Sequence, residues 1–232
     1  MPNVDLAGAA APLVLAVDIG TSSVRALTVD GLGRTVDGTE TQRPYAVNAT
    51  PDGGVSFPAP DLFDLLVACL DGAVAAVAER ADELVAVGIT VFWHSLLGVD
   101  SRGEAVTPIL YWADTRSAPD AARLRRELPE DEVIQRTGCR FHSSYWPAKL
   151  RWLARTEPAA FAAVHRWVGP AEHLLGKLAG DAGRVASVSM ASGTGVLDVH
   201  ALRWDEAVAE AARVDTAALP PLDPTPTGFR LE

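Results

Sequence analysis

With 232 residues, 48% of them hydrophobic and 22% charged, the chain has the profile of a folded globular protein of one large domain or two small ones, which excludes extended disorder. A formal net charge of −10 repels nucleic acid and anionic membrane on average, so neither is expected as a partner. Cys69 and Cys139 follow no spacing motif and point to neither a disulfide framework nor a metal centre. No apolar run reaches bilayer-spanning length, and with no signal-peptide pattern the expected compartment is the cytoplasm.

Residues 1–12 are rich in Ala, Gly and Pro and read as a frayed leader. Residues 13–17 are wholly apolar, as in a strand buried on both faces. A tight turn follows, then a second strand over residues 24–29. Residues 32–34 make another turn, and residues 34–45 a further strand, so the simplest arrangement is an antiparallel meander. Residues 48–57, with Pro51, Asp52, Gly53 and Gly54, read as a loop. The clearest helix opens near Asp61, a candidate cap, and carries Leu62, Leu65, Leu66, Cys69, Val74 and Val77 at helical spacing to about residue 81. Residues 84–90 are then a β-rich run. Meander, helix and strand in that order imply an α/β layer with helices packed on a mixed sheet. Further on, helices are expected over residues 118–127, 131–136, 147–155, 158–164, 172–179 and 204–213. Residues 185–190 read as a strand, and the proline-rich end from residue 218 as irregular.

The first turn concentrates chemistry. Asp18 ends the first strand, Gly20 offers backbone freedom at positive φ, and Thr21, Ser22 and Ser23 bring hydroxyls and amide N–H groups to one bend, with Arg25 close behind. Amides and hydroxyls donate to oxygen, an arginine neutralises charge, and a carboxylate holds a cation directly or through water. Together they suit a metal-bound phosphate. An ordinary hairpin with a polar turn is the competing reading of these residues alone.

Asp18-Ile-Gly-Thr-Ser-Ser-Val-Arg25 resembles the first phosphate motif of the FGGY carbohydrate kinases, and further matches run to about residue 230. The resemblance implies an actin-like (ribonuclease H-like) ATPase domain, a mixed sheet with helices on both faces, over residues 13–232. It implies ATP and Mg2+ as cofactors, with Asp18 toward the metal and Gly20, Thr21, Ser22, Ser23 and Arg25 toward phosphate. Trp93-His94 stands where xylulokinases and gluconokinases have Met-His facing the sugar, and the wider Trp93 narrows that pocket or offers a stacking face. Trp112-Ala-Asp114-Thr-Arg116 resembles the family's Trp-x-Asp-x-Arg signature. It offers Asp114 as acceptor for sugar hydroxyls and Arg116 to hold Asp114 or meet the substrate. Residues 136–153 resemble the gluconokinase segment that ends in a Lys-x-x-Trp helix, here Lys149 and Trp152, and put His142, Ser144 and Tyr145 among the substrate-binding candidates. Residues 187–198 match a family stretch at the serines, Thr194 and Gly195, but Ser187 replaces its usual aspartate, which implies a weaker polar network there.

The family's catalytic base is an aspartate in a Gly-Asp-x motif just past this region, and no Gly-Asp-Asn or Gly-Asp-Gln occurs in the chain. Pro226-Thr-Gly228-Phe-Arg-Leu-Glu232 resembles the segment that precedes that motif, so the base is expected beyond Glu232. The chain is therefore expected to hold the first domain only, with no catalytic base, and to be inactive alone. Its expected partners are a small sugar or sugar acid, the missing C-terminal nucleotide domain and, through an uncovered apolar face, a second copy. A gluconokinase-like enzyme is the leading reading. A xylulokinase or other polyol kinase is the alternative within the class, and a non-catalytic sugar-binding or regulatory module the alternative outside it.

Overall fold

The computed structural model describes residues 3–223. In chain order, strands β1 (Asn3–Val4), β2 (Leu13–Ile19), β3 (Ser23–Val29), β4 (Thr35–Val36), β5 (Thr41–Pro44), β6 (Asn48–Ala49) and β7 (Val55–Phe57) precede helix α1 (Ala59–Ala76) and strand β8 (Leu84–Val91). Strands β9 (Leu97–Val99) and β10 (Ile109–Leu110) lead to helices α2 (Ala118–Glu127), α3 (Glu130–Thr137), α4 (Trp146–Thr156) and α5 (Pro158–Ala163). Then come β11 (Arg166–Val168), α6 (Pro170–Ala179), β12 (Ala186–Ser187), α7 (Val188–Ser192), β13 (Leu197–Asp198), β14 (Arg203–Trp204), α8 (Glu206–Ala211) and β15 (Leu222–Asp223). The chain divides into a unit of residues 1–47 and 60–92 and a unit of residues 48–59 and 93–232.

The first unit is built on a mixed sheet ordered β1-β4-β3-β2-β8, with β5 also paired to β3. β2 runs antiparallel to β3 and parallel to β8. The expected meander is present, with residues 34–45 divided into β4 and β5. Burial along β2 alternates, unlike the expected strand buried on both faces: Leu13, Leu15, Val17 and Ile19 are buried, whereas Val14 and Ala16 are half-covered. On α1, Leu62, Leu66, Cys69 and Ala73 are fully buried at three- and four-residue spacing, and the Cys69 thiol donates to the Val24 carbonyl at 3.3 Å. Each such leucine contributes roughly 1.5–3 kcal/mol by leaving water. The helix is shorter than its apolar pattern, because residues 78–83 tighten into a 3-10 turn. Asp61 lies within the first turn and is not the cap; there its charge favours the helix N-terminus.

The N-terminal segment corrects the expectation of a frayed leader. β1 pairs parallel with β4, and the Arg80 guanidinium donates to the Leu6 and Ala9 carbonyls, the latter at 3.1 Å. Buried Asp30 accepts from the Ala10 N–H at 3.0 Å, from the Leu32 and Arg34 N–H groups and from the Arg34 guanidinium, which holds its carboxyl far below the usual range. At the other side of the sheet, β8 pairs only with β2 among the described residues, and Val85 and Val87 are 65% and 37% exposed.

The second unit packs α2, α3, α4 and α8 around a core that includes Leu124, Val133, Phe141, Trp146, Leu150 and Trp167. Residues 48–57, expected as a loop, form the β6–β7 ribbon, whose β7 pairs with β10. α3 ends at Gly138 with φ 72, the left-handed position that glycine fills with least strain. Residues 185–190 divide into β12 and α7. The Ser187 hydroxyl caps α7 by accepting from the Met190 N–H at 3.2 Å, a role serine and aspartate both fill, so the departure at Ser187 keeps the local polar contact. β15 falls within the end expected to be irregular. Residues 224–232 lie outside the described residues, and with them the segment ending at Glu232 that resembles the approach to the family's catalytic aspartate.

Candidate functional site

In the first unit, Asp18 stands opposite Arg25 on β3 and beside Thr90 on β8, so all three side chains share one sheet face. Asp18 is exposed. The turn closes with the Gly20 N–H donating to the Ser23 carbonyl at 2.9 Å. Tyr45 pins it from outside, its hydroxyl donating to the Gly20 carbonyl at 2.5 Å and its N–H to the Ser22 carbonyl at 2.9 Å. Gly20 is not at positive φ, contrary to expectation. Its advantage is room, since a Cβ there would lie 3.3 Å from the Ser23 carbonyl oxygen. Thr21 and Ser22 are exposed, and neither their N–H groups nor their hydroxyls have a partner among the described residues. Ser23 is partly engaged, its hydroxyl accepting from Gln42 at 3.0 Å. Arg25 lies 3.4 Å from Glu40, which already balances part of its charge.

That arrangement fits a phosphate: free donors at one bend, one exposed carboxylate, one cation on the same face. Among the described residues no group of three or more His, Cys, Asp and Glu could hold a metal ion. A cation here would therefore take Asp18 and otherwise water or phosphate oxygens.

In the second unit the aromatic candidates form a row. Trp93 and His94 have ring centroids 5.3 Å apart, His94 meets Tyr145 edge-on at 4.9 Å, and Tyr145 meets His142 at 6.5 Å. The glycine-rich stretch after α7 holds this row. The His94 Nδ1 lies 2.5 Å from the Gly193 carbonyl, an acceptor only, so Nδ1 carries a proton there and Nε2 is left for another partner. The Trp93 Nε1–H donates to the Ser189 carbonyl at 3.1 Å, and a Cβ on Gly193 would lie 2.9 Å from the Trp93 ring. The Trp146 N–H donates to the Thr194 carbonyl at 3.0 Å, securing the start of α4 beside Tyr145. His94 itself has φ 64, unusual for a residue other than glycine. His142 Nδ1 accepts from the Ser144 N–H at 3.2 Å and lies 3.1 Å from its hydroxyl. Burial pushes the Tyr145 phenol up, with the neighbouring Cys139 adding to the effect.

Asp114 and Arg116 stand differently. Asp114 is 2% exposed and accepts from the Val55 N–H, the Arg116 N–H and the Arg116 guanidinium, the last at 2.6 Å. Its oxygens are thus occupied within the protein, where they tie the β6–β7 ribbon to the segment before α2. Arg116 is neutralised by Asp114 and lies 4.4 Å over the Trp152 ring. Lys149, the lysine of the Lys-x-x-Trp helix, is fully buried. Its amine donates to the Ser143 and Ser144 carbonyls at 2.5 and 2.8 Å, and burial depresses its pKa to about 7, with Asp114 opposing and Arg116 assisting. It fixes the backbone between His142 and Tyr145. Sequence reasoning missed the Gly193 carbonyl, because backbone groups carry no residue signature. The lone Gly-Asp pair, Gly180-Asp181, sits in a 3-10 turn, with the Asp181 side chain 96% exposed and paired to Arg184. It is not the motif expected beyond Glu232.

Residues 13–228 match the model of the FGGY family of carbohydrate kinases, N-terminal domain. The xylulose kinase of Streptomyces coelicolor is 35% identical over 217 residues, which is 93% of this chain and 43% of that protein. The gluconokinase of Bacillus subtilis is 25% identical over 218 residues, 94% of this chain and 41% of that protein. Among solved structures, the xylulose kinase of Rhodospirillum rubrum superposes with a TM-score of 0.85 at 26% identity, covering 92% of this chain and 43% of that one. The chain thus spans less than half the length of the relatives it matches. Its mixed α/β architecture, its matched residues and these likenesses agree, and the chain belongs to the FGGY family of carbohydrate kinases, whose N-terminal domain it contains.

Proposed function

We propose that the chain is the substrate-holding part of an enzyme that transfers a phosphoryl group from ATP to a hydroxyl of a small sugar. The observation that carries this reading is the β2–β3 turn, where Thr21 and Ser22 offer unpartnered N–H groups and hydroxyls beside exposed Asp18. When bound, Mg2+ and the nucleotide supply charge neutralisation and the transferable group. Thr21 and Ser22 would donate to phosphate oxygens, and Asp18 would hold the cation or its water. In the second unit, Trp93 and Tyr145 offer ring faces to a sugar, and the His94 Nε2 accepts from one of its hydroxyls. Asp114 and Arg116 shape that unit from inside it and are positioning residues.

Two features favour a neutral ketose over the expected sugar acid. The relative at 35% identity is named a xylulose kinase, whereas the gluconokinase of Bacillus subtilis stands at 25%. Arg116 is already neutralised by Asp114, so it brings no surplus charge for a carboxylate. Asp114, the carboxylate of the Trp-x-Asp-x-Arg stretch, is not free to act as base, and the relatives carry a further half of chain in which a base beyond Glu232 would lie. We therefore read residues 1–232 as inactive alone. The β8 edge, which pairs with no further strand among the described residues and exposes Val85 and Val87, suits packing against that further half or, without it, a second copy.

The test is an ATP-consumption assay over xylulose, gluconate, glycerol and ribulose, run on the 232-residue chain and on a version continued through a second domain. Turnover of xylulose in the longer protein only is the expected result. Preference for gluconate would restore the sugar-acid reading. Activity in neither would leave a sugar-binding or regulatory module, and robust activity in the short chain would place the base within it.

A further inference from the structure

The second unit concentrates positive charge where a chain of net charge −10 would not be expected to. A cavity of about 280 Å³ is lined by Asp120 and Arg123 of α2, Arg151, Ala154 and Arg155 of α4, and Arg213 just past α8. None of these belongs to the phosphate turn or the aromatic row.

The charges do not balance. Asp120 is fully buried and accepts from Arg123 at 3.2 Å and from Arg155 at 2.8 Å, which orients both guanidiniums. Arg151 is paired to Glu127 at 2.6 Å. Arg213 makes no side-chain hydrogen bond or ion pair among the described residues. Four guanidiniums thus face two carboxylates, and the surplus is two positive charges around one recess. Ion pairing between α2 and α4 accounts for Asp120 and Glu127 with one arginine each. It leaves in surplus the second arginine on Asp120 and Arg213, whose charge acts on Glu127 without forming an ion pair. Arg213 also holds the position after α8 with φ 67, its N–H donating to the Glu210 carbonyl at 2.9 Å. Glycine occupies that position with least strain, so an arginine there is not explained by ending the helix.

Guanidinium groups arriving from three directions suit a tetrahedral oxyanion, whose acceptors point several ways, better than a planar carboxylate. Among the described residues Ala154 is the only uncharged one lining the recess, which therefore offers little to an apolar ligand. We propose that this cavity binds a phosphate dianion, either free or as the phosphoryl group of a small phosphoester. The inference is independent of the kinase reading.

Calorimetric titration of the whole chain with inorganic phosphate and with glycerol phosphate, at fixed ionic strength, tests it. A saturable site distinct from any at the β2–β3 turn is expected, and each of Arg123→Gln and Arg213→Gln should weaken it about tenfold, the loss of a charge-assisted contact. Arg203→Gln, an exposed arginine elsewhere in the unit, should leave it unchanged. Tighter binding of glycerol phosphate identifies an ester as the ligand, and tighter binding of inorganic phosphate identifies the free ion. Absence of a saturable site, or equal weakening by Arg203→Gln, overturns the proposal. So does loss in Arg25→Gln with retention in Arg123→Gln, which would put phosphate at the β2–β3 turn.

Discussion

Replacing Lys149 by methionine isolates the effect of a buried amine on the candidate site. Lys149 is fully buried, and its pKa falls from 10.5 to about 7, first because burial penalises the ammonium. The folded state therefore releases a proton that the unfolded chain keeps between those values. Stability must rise with pH across that window and stay low beneath it, a difference of roughly 3–5 kcal/mol. Methionine removes this slope and also leaves the Ser143 and Ser144 carbonyls without their donor, at about 1–3 kcal/mol each. Near pH 7 the relief and the loss nearly cancel. Near pH 9.5 most of the relief is gone, and the variant should be the less stable by about 2–3 kcal/mol more than at pH 7. Urea unfolding of both proteins at intervals from pH 7 to 9.5 reads this difference directly, with titrations common to both dropping out. Parallel stability curves would refute the reasoning, because they would mean the amine stays protonated in the folded protein, held by its two carbonyls and Asp114 against the cost of burial.

Glu172 carries the opposite sign. Burial pushes its carboxyl from 4.5 up to about 7, so the folded state holds the proton more tightly and stability falls as pH rises through that range. Glu172→Gln should match the wild type near pH 4 and exceed it by about 2–3 kcal/mol at pH 8 in urea titrations. Asp30→Asn should lower the thermal midpoint at neutral pH, since three backbone donors and Arg34 lose a charged acceptor. The deficit should shrink as pH falls below 3.8, where the unfolded chain takes up the Asp30 proton first. In the lengthened enzyme, His94→Asn should keep the left-handed backbone and the fold while raising KM for sugar about tenfold or more with little change in KM for ATP; equal changes in both would mark His94 as structural.

What could be read from the sequence was set by how far apart the cooperating residues lie. The β2–β3 turn is contiguous, so its carboxylate, hydroxyls and cation were visible together, and only the sign of φ at Gly20 was misjudged. The α1 helix announced itself through the helical spacing of Leu62, Leu65, Leu66, Cys69, Val74 and Val77, although Val74 faces solvent and Ala73 takes its place in the core. The N-terminal segment did not, because its order comes from Arg80, which is 71 and 74 residues from the carbonyls it holds. The β6–β7 ribbon was hidden for the same reason: its strand partner, β10, lies past α1 and β8, and the intervening Pro51, Gly53 and Gly54 carry the composition of a loop.

The roles of the site residues depended on something else again, namely which hydrogen-bonding capacity is already used. Asp114 and His94 are both polar residues in stretches that resemble substrate-binding motifs, and nothing in their sequence neighbourhoods separates them. In the folded protein Asp114 receives the Val55 N–H from 59 residues away together with the Arg116 fork, and it has nothing left to offer a ligand. His94 spends one nitrogen on the Gly193 carbonyl and keeps the other. A buried polar group that is fully satisfied stabilises and orients, whereas one that is half satisfied and partly open is available for binding. By that criterion the His94 Nε2 keeps hydrogen-bonding capacity, as the exposed Thr21 and Ser22 do at the β2–β3 turn. Asp114, Arg116 and Lys149 are the groups that hold the surrounding backbone still.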